Sequence, residues 1–171
     1  AVERMNQGRP HISEPELDVL LRKVVQDGKL RASLSPEPAD AFILAVPTPF
    51  GPGHVPDTSY IQAAAREIAP VLARGNLVIL ESTSPIGTTE ALSAWLAEAR
   101  PDLSFPHQAG ELSDIRIAHC PERVLPGKIL REVVENDRII GGLTRKCAQA
   151  ASALYRVFVQ GQMHLTNART A

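Results

Sequence analysis

The sequence predicts an α/β domain built on a doubly wound parallel sheet, on three observations. Short β-branched or apolar runs alternate with longer segments of helical period. AFILAV at 41–46 is continuously apolar, as a strand covered by helices on both faces is, and LVILE at 77–81 reads as a second buried strand, apolar up to Glu81. Polar loops follow three of the runs, and that is where open parallel sheets collect ligands.

Each element has its own signature. The opening through Gln7 reads as the end of a helix closed by Gly8. Ser13 stands three residues before Glu16, a capping-box spacing, ahead of Leu17, Leu20, Leu21, Val24 and Val25 on one helical face. Gly28 ends that helix, and Leu30–Ser33 has the length of a short strand. After Ala41–Val46 comes the loop PTPFGPGHVPDTS, too short for a linker. Asp57 is placed to cap a helix over Thr58–Ala73, with Ile61, Ala64, Ala65, Ile68 and Val71 inward. Leu77–Glu81 is the second buried strand, and ESTSPIGTTE leads into a helix reaching Ala99. Arg100–Ser113 reads as loop with an edge strand near Phe105. Asp114–His119 alternates as a strand, 121–136 mixes loop and short helix, and Arg138–Gly142 is a further strand. Thr144 caps a helix to Phe158, and Met163–Thr166 closes the series as a strand. No internal repeat interrupts the pattern.

With 171 residues the chain fits one domain. Hydrophobic residues at 44% and charged residues at 22% are ordinary for a globular protein. Lys plus Arg (18) nearly balance Asp plus Glu (19), so electrostatics gives no reason to expect nucleic acid or an anionic membrane as partner. No apolar run approaches the roughly 20 residues of a membrane span, and AVERMNQGRP lacks the pattern of a signal peptide. Two cysteines, Cys120 and Cys147, make neither a disulfide framework nor a zinc spacing. They read as buried free thiols in a reducing compartment, the cytoplasm.

Three loops carry the candidate chemistry. In VPTPF, prolines on both sides of Thr48 stiffen the backbone, so the loop either presents carbonyls and a hydroxyl to a ligand or serves as a rigid strand exit. In ESTSPIG, Ser82, Thr83 and Ser84 stand at the mouth of a helix, where they cap it or bind an electron-rich group. Capping is the expected role of Ser84. In HCPERVLPG, Glu122 follows a strand end, and a carboxylate there is a general base or an ordinary ion-pair partner. Arg123 beside it pairs with phosphate or simply holds Glu122. His119 adjoins Cys120, and no role in activating a nucleophile is assigned to it.

Taken together, AVPTPF, LESTSPIGTTE, CPERVLPG and DRIIGG resemble the UDP-glucose/GDP-mannose dehydrogenase family, in its order and at its spacing. The likeness runs over nearly the whole chain. The PERVLPG form is similar to the branch acting on UDP-N-acetylhexosamines. PHISEP at Pro10–Pro15 and the tail TNARTA point within that branch to UDP-N-acetyl-D-mannosamine, with N-acetylglucosamine or glucose as the alternatives. The resemblance implies two successive NAD-dependent oxidations, alcohol to aldehyde to acid, through a thioester on a cysteine. It implies that Val46, Pro47 and Thr48 lie along NAD and that Thr83 stands by the nicotinamide and the reacting carbon. It gives Glu122 the proton transfers, and it assigns the backbone of Arg123, Val124, Leu125 and Gly127 to a UDP-sugar. A homo-oligomeric, cytoplasmic parent enzyme making a uronic acid for surface polysaccharide is implied as well.

The departures are equally specific. No G-x-G-x-x-G occurs, nor the acidic residue that binds the adenosine ribose, and neither Cys stands at the nucleophile's place. The family's lysine and cysteine lie beyond this sequence. The expectation is therefore an incomplete Rossmann-like parallel sheet lacking its first βαβ unit. Residues 1–171 would be part of an NAD-binding domain, inactive alone. A non-catalytic nucleotide-binding module of the same fold is the alternative.

Overall fold

The sheet is organised around Leu77–Leu80 (LVIL), all four residues of which are buried. Successive side chains of a strand point to opposite faces. Val78 and Leu80 enter one core with Phe42, Leu44, Ile61, Leu92, Leu96 and Ile117, while Leu77 and Ile79 enter a second with Ala118, Ile140, Ala151 and Tyr155. A run apolar at every position is what a strand between two cores requires.

In the computed structural model, which describes all 171 residues, β1 (Ala41–Leu44), β2 (Leu77–Leu80), β3 (Arg116–His119), β4 (Arg138–Gly142) and β5 (Met163–Asn167) form one sheet in that order. β1, β2 and β3 are mutually parallel. β4 runs antiparallel to β3, with Ala118 opposite Gly142 and His119 opposite Gly141, and β5 is parallel to β4. The expected α/β class holds, with the last two strands reversed. Reversal carries Arg138, at the start of β4, to the rim where β1–β3 end. Helices α3 (Ser59–Ile68) and α4 (Thr88–Ala99) cover the first core, and α7 (Arg145–Tyr155) covers the second.

At the start, α1 (Val2–Asn6) and α2 (Leu17–Gln26) approach closely at Gly8. A Cβ there would stand 2.8 Å from the Arg22 Cα, and the backbone is left-handed (φ +69°), so only glycine fits. Ser13 does not cap α2: its N-terminal position is Glu16, itself left-handed, without a side-chain cap. Of the expected inner face of α2 only Leu21 is buried; Leu17, Val24 and Val25 are half-buried and Leu20 is exposed.

Other departures are local. Leu30–Ser33 forms no strand, and in place of an edge strand near Phe105 the short α5 (Pro106–Ala109) begins. The short helix expected within 121–136 is α6 (Ile129–Glu135). Thr144 Oγ1 accepts the Cys147 N–H at 3.2 Å, as its capping position predicts, whereas the N-terminal position of α3 is Thr58, without a side-chain cap, and Asp57 one residue earlier accepts only the Ser59 N–H at 2.9 Å. β1 is not covered on both faces. It pairs with β2 alone, and Ile43 is 45% exposed. No helix is long and apolar enough to cross a membrane.

Candidate active site

The three loops of interest leave the same rim, because β1, β2 and β3 are parallel and adjacent. Backbone bonds extend the pairing past the strand ends: Glu81 and Ser82 N–H donate to the Leu44 carbonyl, Cys120 N–H to the Leu80 carbonyl at 3.0 Å, and Glu122 N–H to the Glu81 carbonyl at 3.4 Å. Ser82 is buried and does not cap α4. Its hydroxyl accepts the Val46 N–H at 2.7 Å and donates to the Val46 carbonyl at 2.8 Å. Ser84 does not cap either: α4 starts from Gly87 without a side-chain cap. At the surface of this rim Pro47 and Thr83 are exposed, and Val46 and Thr48 are half-buried.

Glu122 is fixed by a partner far along the chain. Its Oε2 accepts from Arg138 Nη1 at 2.5 Å, and its Oε1 accepts the Arg123 N–H at 2.7 Å. The side chain of Arg123 is not the partner; that residue is exposed. Arg138 is only 3% exposed, and its guanidinium carbon lies 5.1 Å from the centre of the Tyr155 ring, a cation–π distance. Tyr155 donates its hydroxyl to Glu81 Oε1 at 2.9 Å, and that same oxygen is 3.9 Å from Arg138. Burial raises the Glu81 pKa above the usual carboxylate range, against the lowering bond from Tyr155, and the nearby Glu122 charge adds to the rise. Burial also pushes the Cys120 thiol up and leaves it a poor nucleophile. Cys147 is buried too, as expected of inert thiols.

The loop expected to wrap a sugar diphosphate is held by carboxylates of the chain itself. Leu125 N–H donates to Glu132 at 2.8 Å. Gly127 and Ile129 N–H donate to the two oxygens of Glu14 at 2.8 and 2.7 Å. Its side chains stay outside: Arg123, Leu125 and Gly127 are exposed and Val124 is half-buried. A concavity of about 560 Å³ lined by Gly142, Thr144, Ala148 and Asn167 lies toward the opposite rim, since β4 runs antiparallel to β3, and shares no residue with the three loops.

Arg138, Glu81 and Tyr155 were not among the residues the sequence singled out. One signal was present, a charged residue opening the otherwise apolar strand RIIGG, but its partner is 16 residues away and across a strand reversal.

Comparison with known proteins gives the family. Residues 1–159 match the UDP-glucose/GDP-mannose dehydrogenase family, NAD binding domain. An NDP-N-acetyl-D-galactosaminuronic acid dehydrogenase of Ralstonia nicotianae is 67% identical over all 171 residues, which cover 40% of that protein. A UDP-N-acetyl-D-mannosamine dehydrogenase of Campylobacter jejuni is 64% identical, with 99% of this chain and 42% of the relative covered. The solved UDP-N-acetyl-mannosamine dehydrogenase Cap5O of Staphylococcus aureus superimposes with a TM-score of 0.91 at 41% identity, over 99% of this chain and 40% of that one. The chain thus spans about 40% of the length of the relatives it matches. A Rossmann-type sheet and a family match over nearly its whole length make this chain a member of the UDP-glucose/GDP-mannose dehydrogenase family, within its NAD binding domain.

Proposed function

We propose that this chain is the middle of the NAD-binding half of a longer cytoplasmic, homo-oligomeric dehydrogenase that oxidises a UDP-N-acetylhexosamine to its uronic acid. The observation that carries the reading is the joined rim. Val46 is bonded to Ser82, and Glu81 to Glu122, so the loops of the cofactor and of the proton-transfer residue are fixed relative to one another.

The residues present fit one end of a dinucleotide. Val46, Pro47, Thr48 and Thr83 make an uncharged, proline-stiffened surface with hydroxyl groups, suited to the nicotinamide and its ribose. The chain has no glycine-rich phosphate cradle, so the pyrophosphate is left to residues outside it. When bound, NAD supplies the hydride acceptor for both oxidations. Glu122, held on two sides but 27% exposed at its side chain, takes the proton of the sugar hydroxyl and later that of the hydrolytic water. Thr83 orients that water, and the loop from Arg123 to Gly127 lies against the UDP-sugar.

N-acetyl-D-mannosamine is the favoured sugar, on the tail TNARTA and the Campylobacter jejuni relative. The 67% identity with the Ralstonia nicotianae protein supports N-acetyl-D-galactosamine as a second reading. Following NADH formation by the full-length protein with a panel of UDP-sugars tests both. Turnover of the mannosamine derivative above all others is the expected result; absence of NADH with every UDP-hexosamine overturns the assignment.

A further inference from the structure

We propose that Arg138, stacked on Tyr155, is the positioning residue that holds the Glu122 carboxylate at the rim, and that Tyr155 reserves it for Glu122 by engaging Glu81. The inference rests on the reading of Glu122 as the proton-transfer residue.

Arg138 is an expensive choice for stability alone. A guanidinium at 3% exposure has lost its water, and its Nε–H is buried without an acceptor. An apolar residue at the start of β4 would avoid both costs. What the arginine supplies is direction. Nη1 donates to Glu122, Nη2 donates to the Val133 carbonyl at 3.2 Å, and the guanidinium carbon lies over the Tyr155 ring. With three sides occupied the guanidinium cannot swing, and neither can the carboxylate it holds. Lysine would retain the charge and lose the fork.

Two carboxylates face this one cation, at 2.5 Å for Glu122 and 3.9 Å for Glu81. The difference has a visible cause, since Glu81 Oε1 is already engaged by the Tyr155 hydroxyl. Without that hydroxyl, Glu81 competes for Arg138 and draws it away from Glu122. The same aromatic side chain thus supports the cation with its ring and restrains the competitor with its oxygen.

The test uses the full-length dehydrogenase, with kcat and KM for the UDP-sugar and the NADH dissociation constant by fluorescence. Arg138→Lys is expected to lower kcat by about tenfold or more, with KM and NADH binding changed by no more than about twofold. In a Glu122→Gln background the same substitution is expected to cost nothing further, since the group it positions is gone. Losses that multiply in the double variant overturn the positioning role and leave Glu122 as the base. Full kcat in Glu122→Gln itself overturns the underlying reading instead. Should Arg138→Lys not yield a folded protein, Tyr155→Phe, which keeps the ring, decides the matter. It is expected to lower kcat, with recovery when Glu81→Gln is added. An unchanged kcat in Tyr155→Phe, or no recovery in the pair, overturns the proposal.

Discussion

The Ser82 hydroxyl satisfies both backbone groups of Val46, accepting its N–H at 2.7 Å and donating to its carbonyl at 2.8 Å. One side chain at the end of β2 thereby fixes the backbone that leaves β1. Ser82→Ala leaves these groups to compete for water at a rim where Ser82 itself is 8% exposed. A loss of about 1–3 kcal/mol in stability is expected, read from urea unfolding at constant slope. The KM for NAD should rise as the VPTPF loop loosens; a variant as stable as the parent, with unchanged KM, would show that the bond is dispensable.

Glu122→Gln removes a charge from the Arg138 pair while keeping its shape. In the full-length enzyme kcat should fall by about 100-fold or more, the usual contribution of a general base. The protein should stay folded at assay temperature, with a melting temperature lowered because the buried Arg138 loses its nearest charged partner. Turnover near that of the parent would remove Glu122 from the mechanism.

Glu14 holds the backbone amides of Gly127 and Ile129 from 113 and 115 residues away. Glu14→Ala releases both. The expected outcome is a several-fold rise in KM for the UDP-sugar with little change in KM for NAD, because the loop faces the sugar nucleotide in the proposed function. Equal changes in both constants would place Glu14 outside the sugar side of the site.

Asp114 accepts both the backbone N–H and the hydroxyl of Ser104 at 2.9 Å, and the backbone bond is the largest cause of its lowered pKa. The folded state therefore binds fewer protons than the unfolded chain. Its contribution is fully present above the unfolded value of about 3.9 and is lost as pH falls through the depressed folded value. Asp114→Asn should flatten the acid limb of the stability profile, measured by denaturant midpoints from neutral pH downward. An acid limb identical in both proteins would dismiss the linkage.

β1 has a free edge and an exposed Ile43. The 171 residues expressed alone are expected to self-associate through that edge, and Ile43→Lys should raise the monomer fraction in sedimentation. A cooperative, concentration-independent melt of a monomer would contradict this.

The sequence by itself determined the elements whose cause is local. Continuous apolar runs marked β1 and β2, a hydroxyl marked the start of α7, and four ordered segments marked the family. It misjudged Ser13, the stretch 30–33 and the covering of β1, because a cap competes with tertiary geometry and a strand needs neighbours that composition does not name. Only the tertiary structure decided that β4 reverses. Strand direction depends on how the chain returns to the sheet, a property of the whole path and not of the residues in RIIGG. That reversal brings Arg138 to Glu122 and Glu81, and so joins in space an ion pair that the linear order had kept apart.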